Sequence, residues 1–312
     1  INKIFRFSLT NDQKNSLEDI NRDLSSSNKM FRLLQGDVGS GKTIVSLIAA
    51  LNTINSGFQV AFMAPTEILA RQHFNLAKKI FSTNINLEII SGKSEYKIKK
   101  EILNNLENNK IDIIFGTHAI FQKKVIFRKL GLIIIDEQHK FGVNQRKRLS
   151  DKGGVDCDVL LMTATPIPRT LTMTIYGDMD ISIIREKPKN RKPIKTYSKL
   201  EAKIDDVLKF INKEIKLGNQ IFWVCPLIEE SKKLDHSSAI EKFKYLKKKF
   251  PNQVSLLHGK TDLDEKNTIL NNFLKKKFKI LVSTTIIEVG IDFPNANVIV
   301  IENANKFGLS QL

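Results

Sequence analysis

Short apolar runs alternate along this chain with longer stretches whose apolar positions recur every three or four residues. The runs are Phe31–Leu34, Gln59–Ala64, Leu87–Ile90, Ile111–Phe115, Leu132–Asp136 and Val159–Met162. Before and between them lie a helix capped by Thr10 and carrying Leu17, Ile20 and Leu24, a second from Ile44, a third over Thr66–Phe81 and a Lys-rich fourth over Ser94–Leu106. A strand apolar at consecutive positions is buried on both faces, so this alternation predicts an α/β fold with a parallel sheet covered by helices on either side.

A Lys/Pro/Asn-rich stretch, Arg185–Pro193, interrupts the pattern, which then resumes. Ile204, Leu208, Ile211 and Ile215 form a helical stripe, and Gln220–Val224, Val254–Leu257, Lys279–Val282 and Val298–Ile301 read as strands. A basic helix over 239–250 and another over 262–276 separate them. The expected organisation is two tandem α/β units, residues 1–187 and 188–312.

Only the first unit carries Gly36-Asp37-Val38-Gly39-Ser40-Gly41-Lys42-Thr43, the G-x-x-x-x-G-K-T pattern of a P-loop between a strand and a helix. Glycines let the backbone approach phosphates and turn its N–H groups inward, and the helix N-terminus adds partial positive charge. Lys42 supplies a point charge for the outer phosphates and the Thr43 hydroxyl can ligate Mg²⁺, so the chain is expected to bind ATP with Mg²⁺.

Other strand ends carry chemistry of their own. Asp136-Glu137-Gln138-His139 ends a buried strand, the edge where open α/β sheets build their sites. Asp136 suits Mg²⁺, Glu137 suits a general base for the attacking water, and Gln138 and His139 could relay the phosphate state. Thr163-Ala164-Thr165 places two hydroxyls that could bond acids on the neighbouring strand and couple the hydrolytic site to its surroundings; it also reads as a strand end capping a helix over 166–175. Pro65-Thr66, Gly116-Thr117-His118 and Thr284-Thr285 offer hydroxyls and backbone N–H groups at strand-to-helix junctions, which could grip nucleic-acid phosphates or simply cap helices. Phe7 and Gln13 could hold an adenine by stacking and a bidentate amide contact, or belong to an ordinary capped helix.

Composition bounds these readings. The chain has 312 residues, 41% hydrophobic and 27% charged, as in an ordinary globular protein of about two domains. No apolar run approaches the roughly 18 residues of a membrane span and no signal-peptide pattern opens the chain, so no membrane partner and a cytoplasmic location are expected. Cys157 and Cys225 sit in separate apolar runs and read as buried core residues. A formal charge of +17, dispersed over the sequence, suits a polyanionic partner; a Lys-rich compositional bias is the plain alternative. The lysine clusters at 247–249 and 275–277 read as solvated helix faces.

The ordered set of P-loop, Asp136-Glu137-Gln138-His139, Thr163-Ala164-Thr165 and Thr284-Thr285-Ile286-Ile287-Glu288-Val289-Gly290-Ile291-Asp292 resembles the motifs of superfamily 2 helicases. The longer wording through Lys140-Phe141-Gly142-Val143, Pro166-Ile167-Pro168-Arg169-Thr170 and Ile301-Glu302-Asn303-Ala304 is similar to the RecG family of bacterial branch-migration helicases. The transcription-repair coupling translocases are the next nearest resemblance; Ser40 and Gln138 favour the RecG family. The resemblance implies two RecA-like lobes with ATP between them, a DNA strand along the Thr66, Thr117 and Thr284 loops, and Phe7 and Gln13 near the adenine. It also implies that Thr285, Glu288, Gly290 and Asp292 face nucleotide or DNA from the second lobe, and that the substrate is branched DNA, a fork or Holliday junction, worked on by a monomer. Lys140 stands where that family usually has Arg, which puts any bidentate contact there in question. No arginine follows Arg191, so the second unit is expected to be incomplete and the chain a core fragment of weak hydrolysis. Two rivals are a P-loop ATPase acting on a protein or metabolite and a non-catalytic nucleic-acid-binding module; the intact Asp136 and Glu137 argue against the second.

Overall fold

In the computed structural model the chain divides into two compact units, residues 1–193 and 194–312. The structure describes residues 8–81, 83–90, 96–122, 124–136, 157–165, 179–187, 193–226, 234–258, 261–284 and 293–307.

The first unit runs α1 (Asn11–Leu24), β1 (Phe31–Gly36), α2 (Lys42–Asn55), β2 (Gln59–Met63), α3 (Glu67–Ile80), β3 (Leu87–Ile90), α4 (Tyr96–Glu107), β4 (Ile113–Gly116), β5 (Leu130–Ile135), β6 (Asp158–Thr163) and β7 (Asp180–Ile184). Its seven strands lie in the order β3-β4-β2-β5-β6-β1-β7 and every neighbouring pair is parallel. The consecutive apolar residues of each run serve opposite faces. Leu34, Val60, Phe62, Leu132, Ile134, Leu160 and Met162 pack with α1, α2 and α3, whereas Leu33, Ala61, Met63, Ile133, Ile135, Val159 and Leu161 pack with Ile102 and Leu106 of α4. This is why these strands show no polar alternation: period 2 along a strand needs an apolar side chain on both faces when both are covered.

Two buried polar side chains tie the elements of this unit together. Gln59 is buried, its Nε2 donating to the carbonyls of Leu106 and Ile111 and its Oε1 accepting from the amides of Arg128 and Lys129, which ties the end of α4 to the approaches of β4 and β5. Arg32 on β1 is buried with Nε 2.6 Å from Asp23 and a guanidinium bond to Ser182 of β7. β7 is an element the apolar-run pattern passes over: it lies at the sheet edge, with Ile183 exposed and Ile184 buried, so its apolar residues are too few and too interrupted to form a run.

The second unit contains α5 (Ile204–Lys216), β8 (Gln220–Val224), α6 (Leu234–Lys249), β9 (Val254–Leu257), α7 (Leu263–Leu274), β10 (Ile280–Ser283) and β11 (Ala296–Ile301), with parallel strands ordered β11-β8-β10-β9. Ile221, Trp223, Ile280 and Val282 pack with α5 and α6. Phe222 is packed against Phe273 of α7 and Phe293, with ring centroids 5.0 and 5.2 Å away. Gln220 repeats the device of Gln59, its Nε2 donating to Phe273 and Phe278 carbonyls between helix and strand. The α/β class and the two parallel sheets are therefore as expected from sequence.

Boundaries shift where local chemistry differs. α6 starts at Leu234, five residues earlier than expected, and α7 ends at Leu274 because Lys276 turns left-handed at φ 60°. The expected helix 166–175 lies outside the described residues. Lys247–Lys249 and Lys275–Lys277 are exposed, and Cys157 and Cys225 are buried free thiols.

Candidate nucleotide and nucleic-acid site

Apart from Gln13 on α1, the described candidate site residues of the first unit leave the carboxyl ends of its strands, and strand order decides which of them are neighbours. Gly36–Thr43 follows β1, Thr163–Thr165 ends β6 and Asp136 follows β5, three adjacent strands; Pro65–Thr66 follows β2 and Thr117–His118 follows β4 on the far side of β5. At a strand spacing of about 4.8 Å, β1 and β5 ends stand about 10 Å apart, a span that a phosphate chain and a hydrated cation can bridge. Asp136 thus marks the boundary between a nucleotide half of the edge and a half of hydroxyl-bearing loops.

The P-loop is built by three constraints. Gly39 and Gly41 take φ of 75° and 96°, which L side chains rarely adopt. Gly36 admits no side chain, since a Cβ there would stand 2.6 Å from Ser40 Oγ and 2.9 Å from the Ile184 carbonyl. Lys42, buried, donates to the carbonyls of Gly36 at 2.6 Å and Asp37 at 3.1 Å, which holds its ammonium over the loop. No side chain caps the N-terminus of α2. Ser40 Oγ is buried without a hydrogen-bond partner among the described residues. An uncapped helix N-terminus, a lysine at the loop and an orphaned hydroxyl fit the phosphates of a nucleotide. Thr43, half-buried at the start of α2, and Asp136, buried after β5, fit the hard oxygen ligation of Mg²⁺.

Gln13 holds the loop from outside. Its Oε1 accepts from the Thr10 amide at 3.0 Å, its own backbone amide donates to Thr10 Oγ1 at 3.3 Å, and its Nε2 donates to the Ser40 carbonyl at 2.7 Å. Capped helix and P-loop support are therefore combined in one side chain, with both ends of its amide engaged inside the protein; Phe7 lies outside the described residues. Segment 184–187 is a neighbour the sequence reading missed. Ile184 backs Gly36, Lys187 pairs with Asp37 at 2.9 Å, and the amides of Arg185 and Glu186 donate to Asp12 Oδ2 at 2.8 and 2.9 Å. Those two backbone bonds hold the exposed Asp12 carboxyl below its usual range. No local pattern signals this segment, because its role depends on β7 lying beside β1.

Asp136 is clasped twice. Its amide donates to the Met63 carbonyl at 2.9 Å, and its Oδ2 lies 2.8 Å from Nε2 of His73 on α3. An ionised carboxylate only accepts, so the imidazole Nε2 carries the hydrogen. His73 is a site residue the sequence reading missed; it sits in the buried stripe of α3, where a lone His gives no signal.

Thr163 and Thr165 bond to each other, hydroxyl to hydroxyl at 2.8 Å, with the Thr165 amide donating to Thr163 Oγ1. This closes the turn at the end of β6, where a bond to an acid on the neighbouring strand was expected. Thr66 caps α3 by accepting from the Leu69 amide at 3.3 Å; its hydroxyl proton points elsewhere by necessity, since a hydroxyl accepting there still has one hydrogen to donate. Pro65 and Thr66 are half-buried, Thr117 is half-buried and makes no side-chain cap, and His118 is exposed. In the second unit Thr284 is buried and its amide donates to the Leu257 carbonyl at 3.4 Å, so that N–H is not free as expected from sequence: β10 stays in its ladder one residue further. Glu137, Gln138, His139, Lys140, Thr285, Glu288, Gly290 and Asp292 lie outside the described residues.

A parallel sheet with a P-loop after one strand and an acid after another two positions away defines a P-loop nucleotide-binding lobe. The DEAD/DEAH box helicase family pattern matches residues 10–174, more than half the chain, and that of the helicase conserved C-terminal domain matches 202–312. The chain belongs to the DEAD/DEAH box helicase family. It is similar to the ATP-dependent DNA helicase RecG of Bacillus subtilis, 49% identical over 99% of this chain and 46% of that protein, and to that of Thermotoga maritima, 47% identical over 99% and 40%. A solved structure of RecG bound to a three-way DNA junction superposes with a TM-score of 0.86 at 42% identity, covering 99% of this chain and 41% of that one. The RNA-bound Mss116p structure, 19% identical with a TM-score of 0.65 over 94% of this chain and 63% of that one, shares the fold. The chain spans less than half the length of these RecG relatives. The resemblance read from the motifs is borne out.

Proposed function

We propose that this chain is the motor of an ATP-dependent DNA helicase that works on branched DNA, reversing forks or migrating Holliday junctions in recombination and repair. The observation that carries the reading is the sheet edge itself: Lys42, Asp136 and the Thr163–Thr165 turn on adjacent strands, with the Thr66 and Thr117 loops immediately beyond. The names of the RecG relatives, and the junction bound in one of their structures, support the choice of substrate.

Lys42 and the first amides of α2 bind the outer phosphates and offset their charge. Thr43 and Asp136 would hold Mg²⁺, which neutralises phosphate charge when bound. Glu137, next in sequence to Asp136, orients and polarises the water for attack, with Gln138 and His139 beside it. Phe7 and Gln13 are assigned to the base, Gln13 through its support of the P-loop, and Glu288, Gly290 and Asp292 to the nucleotide. Pro65, Thr66, Gly116, Thr117, His118, Thr284 and Thr285 grip the DNA backbone without reading its bases, and Thr163–Thr165 couple the two halves.

The test is steady-state ATP hydrolysis by the full-length protein with and without fork DNA. Fork DNA should stimulate the wild type more than duplex does, and Lys42→Ala and Glu137→Gln should each lower turnover by at least about 10³, the scale of losing an essential phosphoryl-transfer group. Wild-type turnover in either variant refutes the assigned roles; an ATPase indifferent to DNA refutes the substrate.

A further inference from the structure

Asp136 is held at both ends by a single stretch of chain. Its backbone amide bonds the carbonyl of Met63, the last residue of β2, and its carboxylate bonds His73, seven residues into α3 from the helix cap. Between these two clasps lies nothing but Ala64, the Pro65–Thr66 turn and two turns of helix. Seven helical residues return to nearly the same face, so Thr66 and His73 lie in line along α3, about 10 Å apart. Every part of this path is stiff. Ala64 is buried and bonds the Gly116 carbonyl, Thr66 caps the helix, and Ile68, Leu69, Ala70 and Ala77 are buried against the sheet. The imidazole rests on Phe62, with ring centroids 4.7 Å apart, and Phe62 in turn stacks on Phe115. With side chains only 9% exposed, His73 and Asp136 cannot reorient independently.

We infer that the Pro65–Thr66 turn and α3 act as one lever on the Asp136 carboxylate, pivoting on β2, with His73 the positioning residue through which a nucleic-acid phosphate held at the turn changes metal affinity. This rests on the reading above, in which Asp136 holds Mg²⁺ and Thr66 lies on DNA. The bond from Nε2 occupies Oδ2 and fixes the plane of the carboxylate, which sets where Oδ1 points. A shift of the turn on binding DNA moves α3 along its axis, and His73 carries that shift to the carboxylate while Met63 anchors its backbone. The donor atom, not the ring, does the coupling.

Two variants separate donor from ring. His73→Phe keeps a ring on Phe62 and removes the donor; His73→Gln restores an N–H donor at the position of Nε2. Mn²⁺ binding is read by electron paramagnetic resonance on the full-length protein with a non-hydrolysable ATP analogue, with and without fork DNA. In the wild type, DNA should tighten Mn²⁺ binding. His73→Phe should bind Mn²⁺ about tenfold more weakly, as for loss of an orienting partner, and lose the response to DNA, whereas His73→Gln should recover both. A His73→Phe protein that still tightens Mn²⁺ on adding DNA overturns the lever. If Gln behaves like Phe, the donor is irrelevant and the inference also fails. A wild type whose Mn²⁺ affinity ignores DNA that it binds likewise overturns the lever, whereas one that binds no Mn²⁺ with the nucleotide refutes instead the underlying reading of Asp136.

Discussion

Gly41→Ala should damage the P-loop in a way that a second glycine isolates. Gly41 has φ 96° and ψ 17°, and a Cβ there would run into the Nε2 of Gln13, with Cδ of the same amide 3.2 Å away. Gly57 has φ 84° and nothing within 4 Å of its would-be Cβ. Both substitutions carry the left-handed backbone cost of about 1–2 kcal/mol. Only Gly41→Ala must also expel the Gln13 amide, breaking its 2.7 Å bond to the Ser40 carbonyl, for about 1 kcal/mol more. If the loop relaxes to avoid this, nucleotide binding must restore it, so about 2–3 kcal/mol is subtracted from binding, roughly a 30- to 150-fold loss of affinity. Gly57→Ala should lose about 1–2 kcal/mol of stability and bind nucleotide like the wild type. The assay is fluorescent-ATP titration alongside urea unfolding of both variants. Gly41→Ala binding within threefold of wild type, or an equal binding loss in Gly57→Ala, refutes the steric account.

Two further outcomes concern stability. Gln59→Leu strands two amides and two carbonyls that one side chain satisfies, so urea unfolding should show a loss of about 3–4 kcal/mol at roughly 1 kcal/mol per bond, and a loss under 1 kcal/mol would mean water replaces them. Burial pushes both cysteines up to about 12 from 9.0. The folded chain therefore holds thiol protons that the unfolded chain releases, so stability should fall as pH rises from about 9 to about 12, a slope that Cys157→Ala/Cys225→Ala removes. An unchanged slope in that double variant would locate the alkaline loss elsewhere.

Much of the candidate site's edge was legible in the sequence. Apolar runs mark strands directly, and in a parallel sheet the residue after a strand always falls on the carboxyl edge, so Gly36, Thr66, Thr117, Asp136 and Thr163 could be assigned to one edge from their positions alone. The alternation of Leu33 with Leu34, or Ile133 with Ile134, between two cores follows from the same runs. β7 escaped because an edge strand half open to solvent needs no continuous apolar run, and with it went the support that Ile184 and Lys187 give the P-loop.

What the sequence by itself determined is the set of chemical groups and the edge they share, because both follow from residues adjacent along the chain. Their pairing was decided only by the tertiary structure. His73 meets Asp136 across 63 residues and Gln13 meets Ser40 across 27, because α3 packs over β3 and β4 with His73 against Phe62 of β2, the neighbour of β5, and α1 packs beside α2. Strand order is a long-range choice: β5 lies beside β2 although β3 and β4 come between them in sequence. No local periodicity encodes it, since every buried strand of the sheet offers nearly the same apolar surface to any neighbour.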